Sequence, residues 1–292
     1  MSGAQGSYYL PNPSPYPLVA SMGLFLLALG FVFFVNDVAM GPWAMIAGAA
    51  VIVLMMFRWF GVVISESQSG AYNQQVDSSF RMGMAWFIFS EVMFFAAFFG
   101  ALFYVRQFSV EWLAGTELLW PGYEGGWPTA GPAGAEVIAA DTPPSAANQF
   151  SPMGAWGIPA INTLLLLTSG ATLTVAHWGL RKGNRSQLII WLALTVVLGI
   201  SFLGFQAFEY AHAYSELGLT LKAGVYGATF FMLTGFHGFH VTMGVIMLTV
   251  ILVRCIKGHF SADHHFAFEG VAWYWHFVDV VWLGLFVFVY WL

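Results

Sequence analysis

Seven apolar runs of 18 to 30 residues, at 18–35, 42–64, 81–106, 158–178, 188–214, 224–253 and 266–292, leave this chain very few ways to fold. A helix rising about 1.5 Å per residue crosses a hydrocarbon core of about 30 Å in about 20 residues. Backbone groups in that core must hydrogen-bond within the protein, so uniformly apolar runs of this length predict transmembrane helices. Composition agrees: 59% of the 292 residues are hydrophobic and 8% charged, against about 25% charged in soluble domains. The expected fold class is all-α: a polytopic membrane protein with seven transmembrane helices.

Lys and Arg orient the spans. Arg58, Arg81, Arg181, Lys182, Arg185, Arg254 and Lys257 fall on the side of the N-terminus, and Arg106 and Lys222 on the other. Positive charge stays inside, so the N-terminus is expected in the cytoplasm or matrix. No Lys or Arg precedes the first run, which argues against a cleaved signal. A net charge of −5 without a basic cluster excludes nucleic acid as a partner. The single Cys255 leaves no internal disulfide and no Cys-rich metal site. The Gly-, Pro- and Ala-rich segment 107–150 shows no long amphipathic period and reads as an external loop, either a partner-contacting surface, a flexible excursion or a tolerated insertion.

The third run carries Glu91 near its middle. Arg81 and Arg106 lie about 15 Å and about 22 Å away along the helix, too far to neutralise it. Its helical neighbours Phe87, Ile88, Phe94 and Phe95 offer no hydrogen bond. A carboxyl at that depth is costly unless satisfied, so its partner must come from another helix or it must be protonated. Interhelical hydrogen bonding and proton handling both remain open.

Three further constellations lie in spans. His237 and His240 in GFHGFH share a face among glycines, as ligands or as groups bonding across a close helix contact. Gln206, Glu209 and His212 step along one face near the external boundary. Glu269 and His276 share a face of the last span with Asp279 beside them, bonding to neighbouring helices or forming a relay. No nucleophilic motif or phosphate loop is present, the histidine spacing disfavours haem, and neither catalytic residues nor a metal site are expected.

These residues sit in a pattern that resembles subunit III of cytochrome c oxidase, of the haem–copper oxidases. The most specific part is HHFAFEGVAWYWHFVDVVWLGLFVFVYWL; NPSPYP, SEVMFF around Glu91, IPAINT, QAFEY and VYGATFF followed by TGFHGFHV occur in the family's order. The resemblance implies a subunit without redox cofactors, bound to catalytic subunit I and copper-bearing subunit II, which hold haem and copper. It implies a two-helix plus five-helix bundle with a V-shaped lipid cleft, divided as 1–64 (helices 1–2), an inner loop 65–79 and a bundle 80–292. Its expected roles are stabilising the catalytic subunit, binding phospholipid and supporting proton uptake. Trp59, Phe60, Glu66, Arg254, Lys257 and His259 are then the expected lipid-binding residues, and Glu91, Glu209, His212, His237, His240, Glu269, His276 and Asp279 the buried polar or proton-related ones. Gly61 and Ser65 stand where many relatives carry basic residues, 107–150 is longer than usual, and His177-Trp178 replaces a common His-His. A self-sufficient proton or solute transporter is the alternative, disfavoured by the lack of interrupted, repeated spans. Ala- and Gly-rich spans and the long loop lean toward a bacterial inner membrane over a mitochondrial one.

Overall fold

A computed structural model describes residues 9–292; of the N-terminal segment read above, residues 1–8 lie outside the described part. Seven helical stretches are long and apolar enough to cross a membrane, and the only strands among the described residues are two-residue pieces. The helices are α1 (Tyr16–Val35), α2 (Gly41–Gln68), α3 (Gln74–Tyr104), α4 (Val110–Ala114), α5 (Ile158–Arg181), α6 (Arg185–Ser215), α7 (Gly224–Ile256) and α8 (Phe266–Leu285). Two π-helical turns, Val105–Ser109 and Phe286–Trp291, prolong α3 into α4 and α8 toward the C-terminus.

The spans overrun their apolar cores. Helix α3 begins at Gln74 and α2 ends at Gln68, whereas the apolar runs stop at Arg81 and Ile64. Polar residues continue a helix once it leaves the hydrocarbon, because nothing in headgroups or water ends it before a breaker such as Gly70. The expected loop 107–150 is likewise shortened, since helix persists to Ala114.

The chain forms two compact units, Met1–Phe80 and Arg81–Leu292, each described by itself. In the first, α1 and α2 pack through glycines: a Cβ at Gly48 would lie 2.6 Å from the Leu27 backbone nitrogen, and one at Gly30 2.5 Å from that of Met45. Backbones this close are how helices associate in lipid, where no hydrophobic force drives them together.

In the second unit, α5 and α6 are joined by a tight turn in which Gly183 takes φ 70° and the Asn184 side chain accepts the backbone N–H of Gln187 at 3.1 Å. Trp275 of α8 is fully buried and sits in a slot cut by two glycines. Cβ atoms at Gly199 of α6 and Gly244 of α7 would approach its ring to 2.8 and 2.6 Å, while its Nε1 donates to Ser169 Oγ of α5 at 2.9 Å. One indole thus ties four helices together.

The outer connection 115–157 is pinned rather than loose. Two short strands, β1 (Glu136–Val137) and β2 (Gln149–Phe150), pair in parallel, and Phe150 is buried against Tyr226. Carbonyls of Thr129 and Ala130 accept the N–H groups of Tyr226 and Val225 at 3.1 and 3.2 Å. The first turn of α7, whose amides have no intrahelical partner, is satisfied by this loop.

Candidate functional site

Several ionisable groups of the second unit form short clusters, three of which bridge helices. Glu91 of α3 meets His240 of α7, with Oε2 2.9 Å from Nε2. The other imidazole nitrogen, Nδ1, lies 2.6 Å from the Phe236 carbonyl oxygen. A carbonyl only accepts, so Nδ1 carries hydrogen. Nε2 then donates as imidazolium to a carboxylate, or accepts from a protonated Glu91. Either way one proton lies between the two atoms and the pair has no net charge. Phe94 and Phe95 pack on the imidazole at 5.9 and 5.0 Å, and Tyr274 donates to the His240 carbonyl at 3.3 Å.

His237, one helical turn away, does not join this pair. Its Nε2 donates to the Val278 carbonyl at 3.2 Å, its ring packs on Trp282 and Phe202, and Nδ1 is buried without a partner.

Toward the outer end, Glu209 is fully buried. Its Oε1 accepts from the Tyr290 hydroxyl at 2.6 Å and the Gln206 amide at 3.3 Å, while Oε2 has no partner. His212 makes no side-chain hydrogen bond among the described residues and stays half-buried. Of the three residues read as one face, the structure joins two.

In α8, Glu269 and His276 go separate ways. Glu269 forms an ion pair with Arg81 and lies 3.7 Å from His265 Nε2. His276 turns Nδ1 to within 3.5 Å of Asp279 Oδ2. Asp279 is buried against α5, where a Cβ at Gly170 would collide with its carboxylate.

The inner end of this bundle also holds the best-placed cation ligands. His177, His265 and Glu269 bring one ligand atom each within 4.8 Å of one another. His265 Nδ1 donates to the Ser261 carbonyl at 3.1 Å, which turns Nε2 toward the cluster as an acceptor, and His177 Nε2 is buried without a partner. Burial lowers the His265 pKa, helped by Arg81 and Arg181 and opposed by its bond to Ser261. That keeps the imidazole neutral, the form in which nitrogen ligates a metal.

The six residues expected to bind lipid divide between the units. In the first, Trp59 and Phe60 stack at 5.6 Å and are exposed, whereas Glu66 accepts the Tyr72 hydroxyl at 2.8 Å. Burial, and then the bond to Glu66, raise the Tyr72 pKa, so the phenol stays protonated and keeps donating. In the second, Arg254 is only 7% exposed and stacks over Phe260 at 4.4 Å. Lys257 is exposed and His259 half-buried beside it. Nearby, Arg185 donates to the Ile256 carbonyl, satisfying the end of α7.

Chemically, these clusters can hold protons and position helices. A relay needs successive groups or waters at hydrogen-bond reach, and among the described residues no side-chain hydrogen bond joins one cluster directly to the next. Sequence reasoning missed Arg81, Tyr290 and His265 as partners. Arg81 read as a topology charge, and its offset of 188 residues from Glu269 left no local signal.

Comparison with known proteins places these residues in a wider set. The family model described as cytochrome c oxidase subunit III matches residues 6–122 and 133–292; the short gap falls in the outer connection. Cytochrome c oxidase subunit 3 of Prototheca wickerhamii is 42% identical over 284 residues, 97% of this chain and 96% of the relative. That of Chondrus crispus is 41% identical over 285 residues, 97% of this chain and 93% of the relative. That of Branchiostoma lanceolatum is 41% identical over 287 residues, with 97% and 96% covered.

Proposed function

The chain belongs to the cytochrome c oxidase subunit III family, and from that premise we propose that it works as a non-redox subunit that steadies the catalytic subunit, holds phospholipid and supports proton uptake. Membership makes it a subunit of an oxidoreductase complex in the respiratory chain, with hetero-oligomeric partners. Within the proposal, haem and copper belong to subunits I and II, which together carry electrons from cytochrome c to oxygen. The observation that carries the reading is that the interhelical pairs Glu91–His240, Glu209–Tyr290 and Glu269–Arg81 stand as separate ties between helices, which suits a rigid scaffold. For the membrane, Ala- and Gly-rich spans and the long outer connection favour a bacterial inner membrane over a mitochondrial one.

Isolation of the tagged chain from its native membrane tests this directly. Haem and copper should arrive only with larger partner subunits. Purification of the chain alone, with solute transport in vesicles, would overturn the proposal in favour of a transporter.

The lipid reading rests on the inner end of α7. A cation at headgroup depth attracts phosphate, and exposed Lys257 with His259 beside it offers two donors, backed by Arg254 stacked on Phe260. Trp59 and Phe60 supply aromatic surface of the kind that settles at the interface. Arg254→Ala should reduce the phospholipid that co-purifies with the oxidase and speed its loss of activity during turnover, with little change in initial rate. Unchanged lipid content in the assembled mutant would reduce Arg254 to a topology signal.

A further inference from the structure

The α5–α8 seam carries a polar group where a membrane surface should have none. His276 lies near the middle of the 26-residue stretch Phe266–Trp291, yet its side chain is 45% exposed. The other ionisable side chains near mid-span in this unit, Glu91, His240 and Asp279, are at least three-quarters covered. His276 has Nδ1 turned toward Asp279, which leaves Nε2 for the exposed side. Lipid tails offer neither donor nor acceptor at that depth, so an imidazole facing them is costly.

The surroundings suit a helix rather than a lipid headgroup or water. Trp273 and Val280, three and four residues from His276, are exposed on the same face of α8. Across the seam, Gly170 lies against His276 and Asp279, with exposed Leu167 and part-exposed Thr174 on the same face of α5. The result is an apolar surface with one hydrogen-bonding position at its centre, backed by a buried Asp279 whose Oδ1 has no partner.

We propose that this seam is the docking face for a transmembrane helix of another subunit, and that the helix presents a hydrogen-bonding side chain to His276. The proposal rests on the reading of the chain as a subunit of a hetero-oligomeric complex and adds the face and the residue. His276 supplies specificity of register: a helix that shifts by a turn leaves the imidazole against hydrocarbon.

Photoreactive residues at 167 and 280, introduced singly into the full chain in its native membrane, test the face. Both should cross-link to a protein partner, while a probe at Phe208, exposed on α6, serves as the comparison. His276→Leu should keep the chain in the membrane but lower its recovery with partners in mild detergent by about threefold or more, the worth of a typical interhelical hydrogen bond. His276→Gln, which keeps a donor and an acceptor, should restore most of it. Partner subunits that co-purify normally while probes at 167 and 280 reach only lipid would overturn this face and leave the complex intact as a reading. Absence of any partner subunit would overturn both, and normal recovery of His276→Leu would remove His276 from the contact.

Discussion

Gly244→Val should nearly eliminate the chain from its membrane complex. The new side chain would start 2.6 Å from Trp275 Cε3, and Trp275 has little room to shift, because Gly199 of α6 closes on the adjoining Cη2 and Cζ2 atoms of the ring and Ser169 holds its nitrogen. Overpacking of a dense interior costs about 1–3 kcal/mol even where neighbours can shift. Here relief requires α7 to move away from α8, which loosens the contacts around His237 and His240 as well. Gly238→Ala, on the same helix with nothing within 4 Å of the added carbon, is the matched control and should accumulate normally. The measurement is the amount of chain recovered with partner subunits from solubilised membranes. Normal recovery of Gly244→Val would mean that the slot is soft and that Trp275 does not hold the bundle.

His240→Leu should be far more damaging than Glu91→Gln, although both break the same pair. Leucine removes the one side-chain hydrogen-bond partner that Glu91 has among the described residues and leaves a carboxyl group beside Phe94 and Phe95, a burial that costs several kcal/mol unless the group is neutral and satisfied. Glutamine behaves differently. Its amide can donate to Nε2 while Nδ1 continues to donate to Phe236, so the neutral form of the pair is reproduced. Glu91→Gln should therefore leave oxygen reduction and proton pumping within about twofold of wild type. His240→Leu should lower assembled enzyme instead. Near-complete loss of pumping in an intact Glu91→Gln complex would show that the shared proton moves during turnover.

The seven spans were legible because length and hydropathy are decided residue by residue in a bilayer. Their ends were not: the polar residues at 65–68 and 74–80 carry no signal to stop a helix already under way, and the apolar runs end before the helices do. Glu91 announced its need for a partner on another helix through its aromatic neighbours. That His240 rather than His237 meets it depends on how α7 is rotated against α3, and two histidines three residues apart lie only about 60° apart around a helix. Glu209 and Glu269 fail to predict their partners for a related reason, since Tyr290 and Arg81 are remote in sequence. The outer connection misled by composition. Its Gly- and Pro-rich sequence suggests freedom, but its contribution is made by the carbonyls of Thr129 and Ala130, which side-chain identity does not encode.

The glycine-paired hairpin of α1 and α2 has a consequence for how the protein is made. Its two helices are joined by the short link 36–40, so every contact that closes it is local in sequence. Local contacts form quickly because little chain must be ordered first, and the hairpin needs no residue after Gln68 to complete its backbone packing. As the chain leaves the ribosome, this pair is ready to close while α5 to α8 are still unmade, whereas the Trp275 slot must wait for almost the last segment. Defects at Gly30 or Gly48 would thus act early in synthesis, and those at Gly199 or Gly244 only after the whole chain has been inserted.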